Sequence, residues 1–461
     1  MSIINNMPNK AGMTVEGLIE EYKVYAGEEI TAGGFVEFVE AIVGQKVGNS
    51  TDTRISEETG TAHSMSAVVL DDTRVFIAHS YNASSYDLYG IVITIDNTTI
   101  TLGEDTALIT ATNYRAGYAV SVVLLDNDNV FITHNYGTNY YLEGVVCNIN
   151  GTIITKGSSK SIDSGENASI TSSTTALQGN KVFISYSRTS LHYLYGVVCT
   201  VSDVTFSTGS TTYLNKSNGV YVDDTDVTVL TNNNVFIAFS QEDDEYLAAI
   251  VCTVNGMTIT TGDTKIINNS TSNTGYSISV VPLKDNKVFI AHSYTSSRYL
   301  YGIICMINGT VINCGTDTCI NQEGDMSQFL SAIALEDNKV FIAHYYNNSA
   351  YLYGVVIIID STTLTLGTET SLVEGSYAAI SPKALKLNSG NVLILRCRTT
   401  ADYLNGQVFG IDHKNNIPIL ENITLLEYET QVTKPTSEDV NGIAKTSGIG
   451  GDTISIIVPN I

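Results

Sequence analysis

Val75-Phe76-Ile77-Ala78-His79 returns as Val130-Phe131-Ile132-Thr133-His134, then as Val182-Phe183-Ile184, Val235-Phe236-Ile237, Val288-Phe289-Ile290 and Val340-Phe341-Ile342. A seventh, weaker copy is Val392-Leu393-Ile394. The spacings between successive copies are 55, 52, 53, 53, 52 and 52 residues. A period of this length is the mark of a repeat architecture. The fifth copy shows the grammar of one unit. An alternating run from Ser277 to Leu283 meets a polar turn at Lys284-Asp285-Asn286-Lys287, and a second run covers Val288 to Tyr294. After Thr295-Ser296-Ser297-Arg298 a third run, Tyr299 to Ile307, reaches Asn308-Gly309, and a fourth follows from Thr310 to Cys314. Asn-Gly between alternating apolar runs signals a hairpin, with both central residues expected at positive φ. Asn150-Gly151 and Asn255-Gly256 hold the same place in copies two and four. Four short hairpin-linked strands per unit predict an all-β fold, a seven-bladed β-propeller over residues 61–420. A β-helix is the competitor, but its coils are usually shorter and lack tight hairpins. Asp52-Thr53-Arg54-Ile55 resembles Asp263-Thr264-Lys265-Ile266, which suggests that a strand from the N-terminal side completes the last blade.

Composition agrees. The chain of 461 residues carries 27 Tyr, 37 Gly, only 6 Pro and no Trp, with 43 % apolar and 15 % charged residues. A formal net charge of −24 argues against nucleic acid as a partner, because phosphate neutralisation needs clustered Lys and Arg. No stretch approaches the about 20 apolar residues of a membrane helix, so no membrane partner is expected. Met1 to Gly17 has one Lys and no apolar block, unlike a secretory signal.

Residues 1–60 and 421–461 do not follow the repeat. Each shows short β runs broken by Gly, and each is too small to bury a core alone. The simplest solution is that they pair as the two halves of one small β domain. Ala26-Gly27-x-x-Ile30-x-Ala32-Gly33-x-Phe35-Val36 at the start and Gly442-Ile443-Ala444, then Gly451-Asp452-x-Ile454-x-x-x-Val458-Pro459 at the close, resemble terminal modules of bacteriophage and prophage virion proteins of clostridial type. The resemblance covers about 60 residues. It implies a virion protein made in the bacterial cytoplasm, attached to other virion proteins through the terminal β module and displaying the propeller. No sialidase Asp-box and no Trp-Asp propeller signature occurs.

The hairpin grammar sorts the loops onto two faces. Tight turns between strands one and two and between three and four share one face. The longer loops between strands two and three, and from one blade to the next, share the other, where binding loops tend to sit on a rigid scaffold. Tyr81, Asn82, Tyr136, Asn139, Arg188, Gln241, Tyr294, Arg298, Tyr346 and Arg398 belong to the second set. Tyr gives flat contact area at low entropy cost and Asn and Arg give hydrogen bonds, which suits a bacterial surface glycan or protein. A second candidate is calcium: Asp223, Asp224 and Asp226 in the loop entering blade 4, with Glu242, Asp243 and Asp244 in its next loop, offer oxygen ligands on the same face. Otherwise no cofactor is expected. A second copy of the chain completes the set of partners.

Cys147, Cys199, Cys252 and Cys305 recur at one third-strand position, and His79, His134, His292 and His344 at one second-strand position. Neighbouring blades hold equivalent Cys too far apart for disulfides, so these read as reduced, buried apolar residues. The His position holds Tyr186, Phe239 and Arg396 in other copies and reads as a packing slot. No His-Glu-x-x-His, Gly-x-Ser-x-Gly or phosphate loop is present, so a non-enzymatic role in host recognition or adhesion is expected. The alternatives are a capsid, neck or tail decoration without a receptor, and a carbohydrate-acting enzyme, whose chemistry needs only two carboxylates.

Overall fold

The structure, a computed structural model, describes by backbone alone residues 18–26, 35–47, 423–433, 442–444 and 453–459. It describes residues 50–419 except 51, 57–60, 82–86, 111–118, 127, 137–139, 166–170, 189–192, 216–221, 242–245, 269–273, 295–298, 322–325, 347–350, 374–379, 398–402 and 413–415. The chain divides into two units, Gly48–Glu421 and the two ends, Met1–Val47 with Asn422–Ile461.

The large unit is a seven-bladed β-propeller of seven antiparallel sheets. In blade 5 the strands are Thr274–Leu283, Lys287–Tyr294, Leu300–Asn308 and Val311–Cys314, ordered first to outer as in the chain. The second strand carries Val288, Phe289, Ile290 and Ala291 without exposure, and the third carries Ile303, Ile304 and Cys305. Strands buried on both faces lie between neighbouring blades, so their sequences run apolar without interruption. The cores are shared accordingly: Phe289 and Ile304 of blade 5 lie with Ile342 and Ile357 of blade 6.

The outer strand is longer than the sequence grammar indicated. After Gly315 it resumes as Thr318–Asn321, which pairs with the near end of the same third strand. Gly315 N–H bonds to the Ile304 carbonyl at 2.8 Å, and Gly103, Gly157, Gly209, Gly262 and Gly367 repeat this bond in other blades. At these breaks the next blade comes close: a Cβ on Gly157 would stand 1.9 Å from the carbonyl oxygen of Val204. A piece of two to four residues beyond a Gly is too short for apolar alternation to show in the sequence.

The ring closes at blade 7. Thr53–Arg54 pairs with the third strand there, Thr53 with Gly406 and Arg54 with Asn405, so the N-terminal stretch does complete the last blade. On the tight-turn face, the Asn388 amide donates to Asp72 across the same seam. The Asn-Gly turns differ from expectation in detail. Asn308 pairs with Val311, which leaves Gly309-Thr310 as the central pair, and only the first of them has positive φ. Asn97, Gly151, Asp203, Gly256 and Ser361 repeat this one-sided pattern, that of a II′ hairpin.

Cys305 and Cys314 are joined in a disulfide, against the reading of reduced Cys. The bridge runs within one blade, between directly opposed third and outer strands, and not between blades. Cys147, Cys199 and Cys252 are buried free thiols, each pushed up to about 12 by burial.

The small unit is a closed barrel of five strands, in which Leu18–Ala26 and Phe35–Val47 join Ile423–Thr433, Gly442–Ala444 and Thr453–Pro459. Its longest pairing is antiparallel and runs from Glu37 opposite Thr433 to Val47 opposite Ile423.

Candidate functional site

Antiparallel order places the second-to-third loops and the blade-crossing loops at one end of every sheet. Beneath them most blades carry a buried pair. His79 Nε2 lies 3.1 Å from Asp105, His292 Nε2 3.0 Å from Asp317, and His344 Nε2 2.8 Å from Glu369. In blade 7 the same positions hold Arg396 and Asp52, 2.7 Å apart, so this pair fastens the ring-closing strand. His134 meets Ser159 at 3.4 Å, and Tyr186 donates to Thr211 at 3.4 Å. Blade 4 has Phe239 and Thr264 there, both uncharged. The slot is therefore more than packing. A fully buried imidazole or guanidinium needs a polar partner, and the outer strand supplies one matched to it. Only blade 4, having no such group to satisfy, can use Phe.

A second layer links one blade to the next. Asp163, at the outer-strand end of blade 2, accepts bonds from Tyr186 (2.6 Å) and Arg188 (Nε, 2.8 Å) of blade 3. The Arg188 guanidinium lies 4.6 Å from the Tyr195 ring centre, and Tyr195 meets Tyr213 edge-on. Asn268 of blade 4 donates to the Tyr294 hydroxyl and to Asp317 of blade 5, and Asn321 of blade 5 donates to Glu369 of blade 6. Burial works against the Asp317 carboxylate, yet hydrogen bonds from His292, Tyr294 and Asn268 outweigh it and hold its pKa below the ordinary value. Burial also disfavours the Arg188 charge, but its bond to Asp163 prevails and raises the pKa.

These bridges revise the expected contact residues. Arg188 and Tyr294, expected to meet a ligand, are held instead by the neighbouring blade, Tyr294 being buried. The physical reason is that both sit at strand ends, within reach of the preceding outer strand. Tyr136 is half-buried opposite Tyr141. Tyr81, Gln241 and Tyr346 end their second strands, and their side chains lie outside the described residues. Asn82, Asn139, Arg298 and Arg398 also lie outside them, as do Glu242, Asp243 and Asp244.

Asp224 and Asp226 are not in a loop. They belong to the first strand of blade 4, Val222–Val229, which also includes Asp223, whose side chain is not described. The first strands follow one another around the axis, joined by side chains that capture the next blade's amides. Ser66 accepts from Val122 N–H (3.2 Å), Ser121 from Thr174 (3.1 Å), Ser279 from Ala332 (3.0 Å) and Ser331 from Ala384 (3.1 Å). Asp226 holds this position in blade 4, accepting from Ser173 Oγ (2.8 Å) and Val280 N–H (2.7 Å). Asp224 accepts from Ile278 N–H at 2.8 Å. Most of their acceptor positions are thus taken up by protein donors in the channel wall, and among the described residues no three His, Cys, Asp or Glu side chains are grouped to hold a metal. Burial raises the Asp226 pKa, with the Lys383 charge opposing. By pairing register Lys383 is the blade 7 member of this series: it faces Leu395 as Ser66 faces Ala78. The series 66, 121, 173, 226, 279, 331, 383 has the same spacings as the Val-Phe-Ile copies, so it was open to reading in the sequence.

Neither a family model nor a curated protein matches the chain. Solved structures do match it. A protein from Lactobacillus plantarum is 12 % identical, with a TM-score of 0.54, over 78 % of this chain and 99 % of that one. The intramolecular trans-sialidase from Ruminococcus gnavus is 11 % identical (TM-score 0.48, 80 % and 98 % covered). The Aleuria aurantia lectin is also 11 % identical (TM-score 0.42, 68 % and 96 % covered). The likeness is one of fold, the β-propeller.

Proposed function

We propose that the protein is a non-enzymatic virion component of a bacteriophage that displays its propeller to recognise a host-surface glycan or protein. The observation that carries this reading is the construction of the loop face. Segments rich in Tyr, Asn and Arg follow strand ends that are tied together by buried pairs and blade-to-blade bridges, of which Asp163–Arg188, Asn268–Asp317 and Asn321–Glu369 are examples. Strand ends locked from blade to blade give binding segments a rigid base, and a rigid base lowers the entropy cost of binding. The attachment role falls to the terminal barrel, supported by the resemblance of its Gly-anchored stretches to virion modules. Gly442–Ala444 and Thr453–Pro459 are barrel strands drawn from those stretches.

The test is adsorption of the full chain to host cell walls, together with its localisation in assembled particles by labelled antibody. The variant Tyr136→Ala/Asn139→Ala/Arg298→Ala/Arg398→Ala is expected to lose adsorption while melting as the parent does. Unchanged adsorption would overturn the recognition role, and absence from particles would overturn the virion role. Release of soluble sugar products from the walls would instead favour an enzyme.

A further inference from the structure

The strongest chemistry outside the loop face lies on the propeller axis. Around the channel wall, blades 6, 7 and 1 present Ser331, Lys383 and Ser66 at equivalent positions. Each Ser oxygen accepts an amide N–H from the blade that follows, and neither hydroxyl donates to any described residue. The Lys383 ammonium makes no hydrogen bond or ion pair among the described residues. Three adjacent blades therefore offer three unused donors, the Ser331 and Ser66 hydroxyls and the Lys383 ammonium. Across the ring from blades 7 and 1, blade 4 carries the Asp226 carboxylate at the equivalent position, opposite Ala238 as Ser66 is opposite Ala78. Asp226 accepts from Ser173, Val227 and Val280, which leaves room for about one more donor on its two oxygens.

We propose that this part of the channel is a binding site for a small zwitterion of the amino-acid kind, its carboxylate on Lys383, Ser66 and Ser331 and its ammonium toward Asp226. A lone anion would gain the three donors but face the Asp226 wall in a chain of net charge −24. A lone cation would gain Asp226 and face Lys383. A molecule carrying both charges satisfies both walls, since each buried or half-buried charge is stabilised by an opposite partner. The site is independent of the loop face, so it stands or falls apart from host recognition.

Saturation-transfer NMR on the full-length protein tests it. The probes are glycine, β-alanine and γ-aminobutyrate, which space their two charges progressively farther apart, with acetate and methylammonium as single-charge controls. At least one zwitterion is expected to give saturation transfer, and both controls to bind more weakly by about tenfold or more. Lys383→Met and Asp226→Asn, which keep the stem and one acceptor oxygen respectively, are each expected to weaken binding by a similar factor. The site is overturned if no zwitterion gives a signal, or if acetate binds as well as the zwitterions. The control comparison on the parent protein decides the matter even if a variant does not fold.

Discussion

At the scale of single residues, buried polar groups set the acid response. Burial pushes the His134 imidazole down to about 4, with the Asn135 carbonyl pulling the other way. The unfolded chain takes up this proton near the ordinary pKa of 6.5, whereas the folded one does not until about pH 4. Stability should therefore fall as pH drops through that window, by about 3 kcal/mol from this residue alone. His134→Phe, which copies Phe239 of blade 4, should flatten the slope; urea unfolding at pH 7 and pH 4.5 checks it. The Asp317 carboxyl, held low, contributes stability that is present above its unfolded pKa and is lost in more acidic solution, as the folded group protonates. The fully buried Arg396 depends on Asp52, which is one-third exposed. Asp52→Asn should cost about 2–3 kcal/mol by removing the Asp52 charge from that guanidinium, less than for a pair wholly out of water. Chemical denaturation of the variant measures this. The matched pairs recur at the repeat period, yet alternation hid them: each links a second-strand residue to an outer-strand piece that the apolar pattern does not mark.

At the scale of elements, glycines divide by what surrounds them. Gly151 has φ +62, and a Cβ added to it would meet nothing within 4 Å, while Asn97 and Ser361 hold the same place in other blades. Gly151→Asn should therefore cost no more than about 1 kcal/mol, the strain of positive φ on a side chain that has open space around it. Gly157→Ala should destabilise on the order of 1–3 kcal/mol, because the Val204 carbonyl of the next blade must move. Thermal melts of the two variants side by side test the contrast. The first three strands of each blade and most hairpins were legible in the sequence, since continuous apolar runs and turn residues leave a direct trace. Two features were not. The break of the outer strand depends on close approach of another blade, and the Cys305–Cys314 pairing depends on cross-strand register.

At the scale of the whole molecule, the fold class was legible because seven imperfect copies carry one signal seven times. The loop face was legible only in outline. Its loops can be assigned to one end of the sheets from hairpin order alone, but which Tyr or Arg is free depends on the neighbouring blade, as Arg188 and Tyr294 show. Closure brings distant segments together: Thr53–Arg54 lies on the blade built from residues 380–412. Deleting residues 50–56 should leave blade 7 without its inner outer-strand piece and without the Arg396 partner. The expected outcome is a lower melting temperature and faster proteolysis between residues 380 and 420, read by limited digestion and mass spectrometry.

The pairing of Val47 with Ile423 ends the barrel's longest ladder at the point where the chain departs for the propeller and later returns. In effect one hairpin turn has been replaced by a 374-residue excursion from Gly48 to Glu421. Among the described residues, the ladder between Phe35–Val47 and Ile423–Thr433 runs without a register shift up to that point. Any domain whose own ends emerge side by side could be spliced into the same two positions. An exchange of residues 48–421 at those two junctions would leave the ladder from Glu37–Thr433 to Val47–Ile423 as it is.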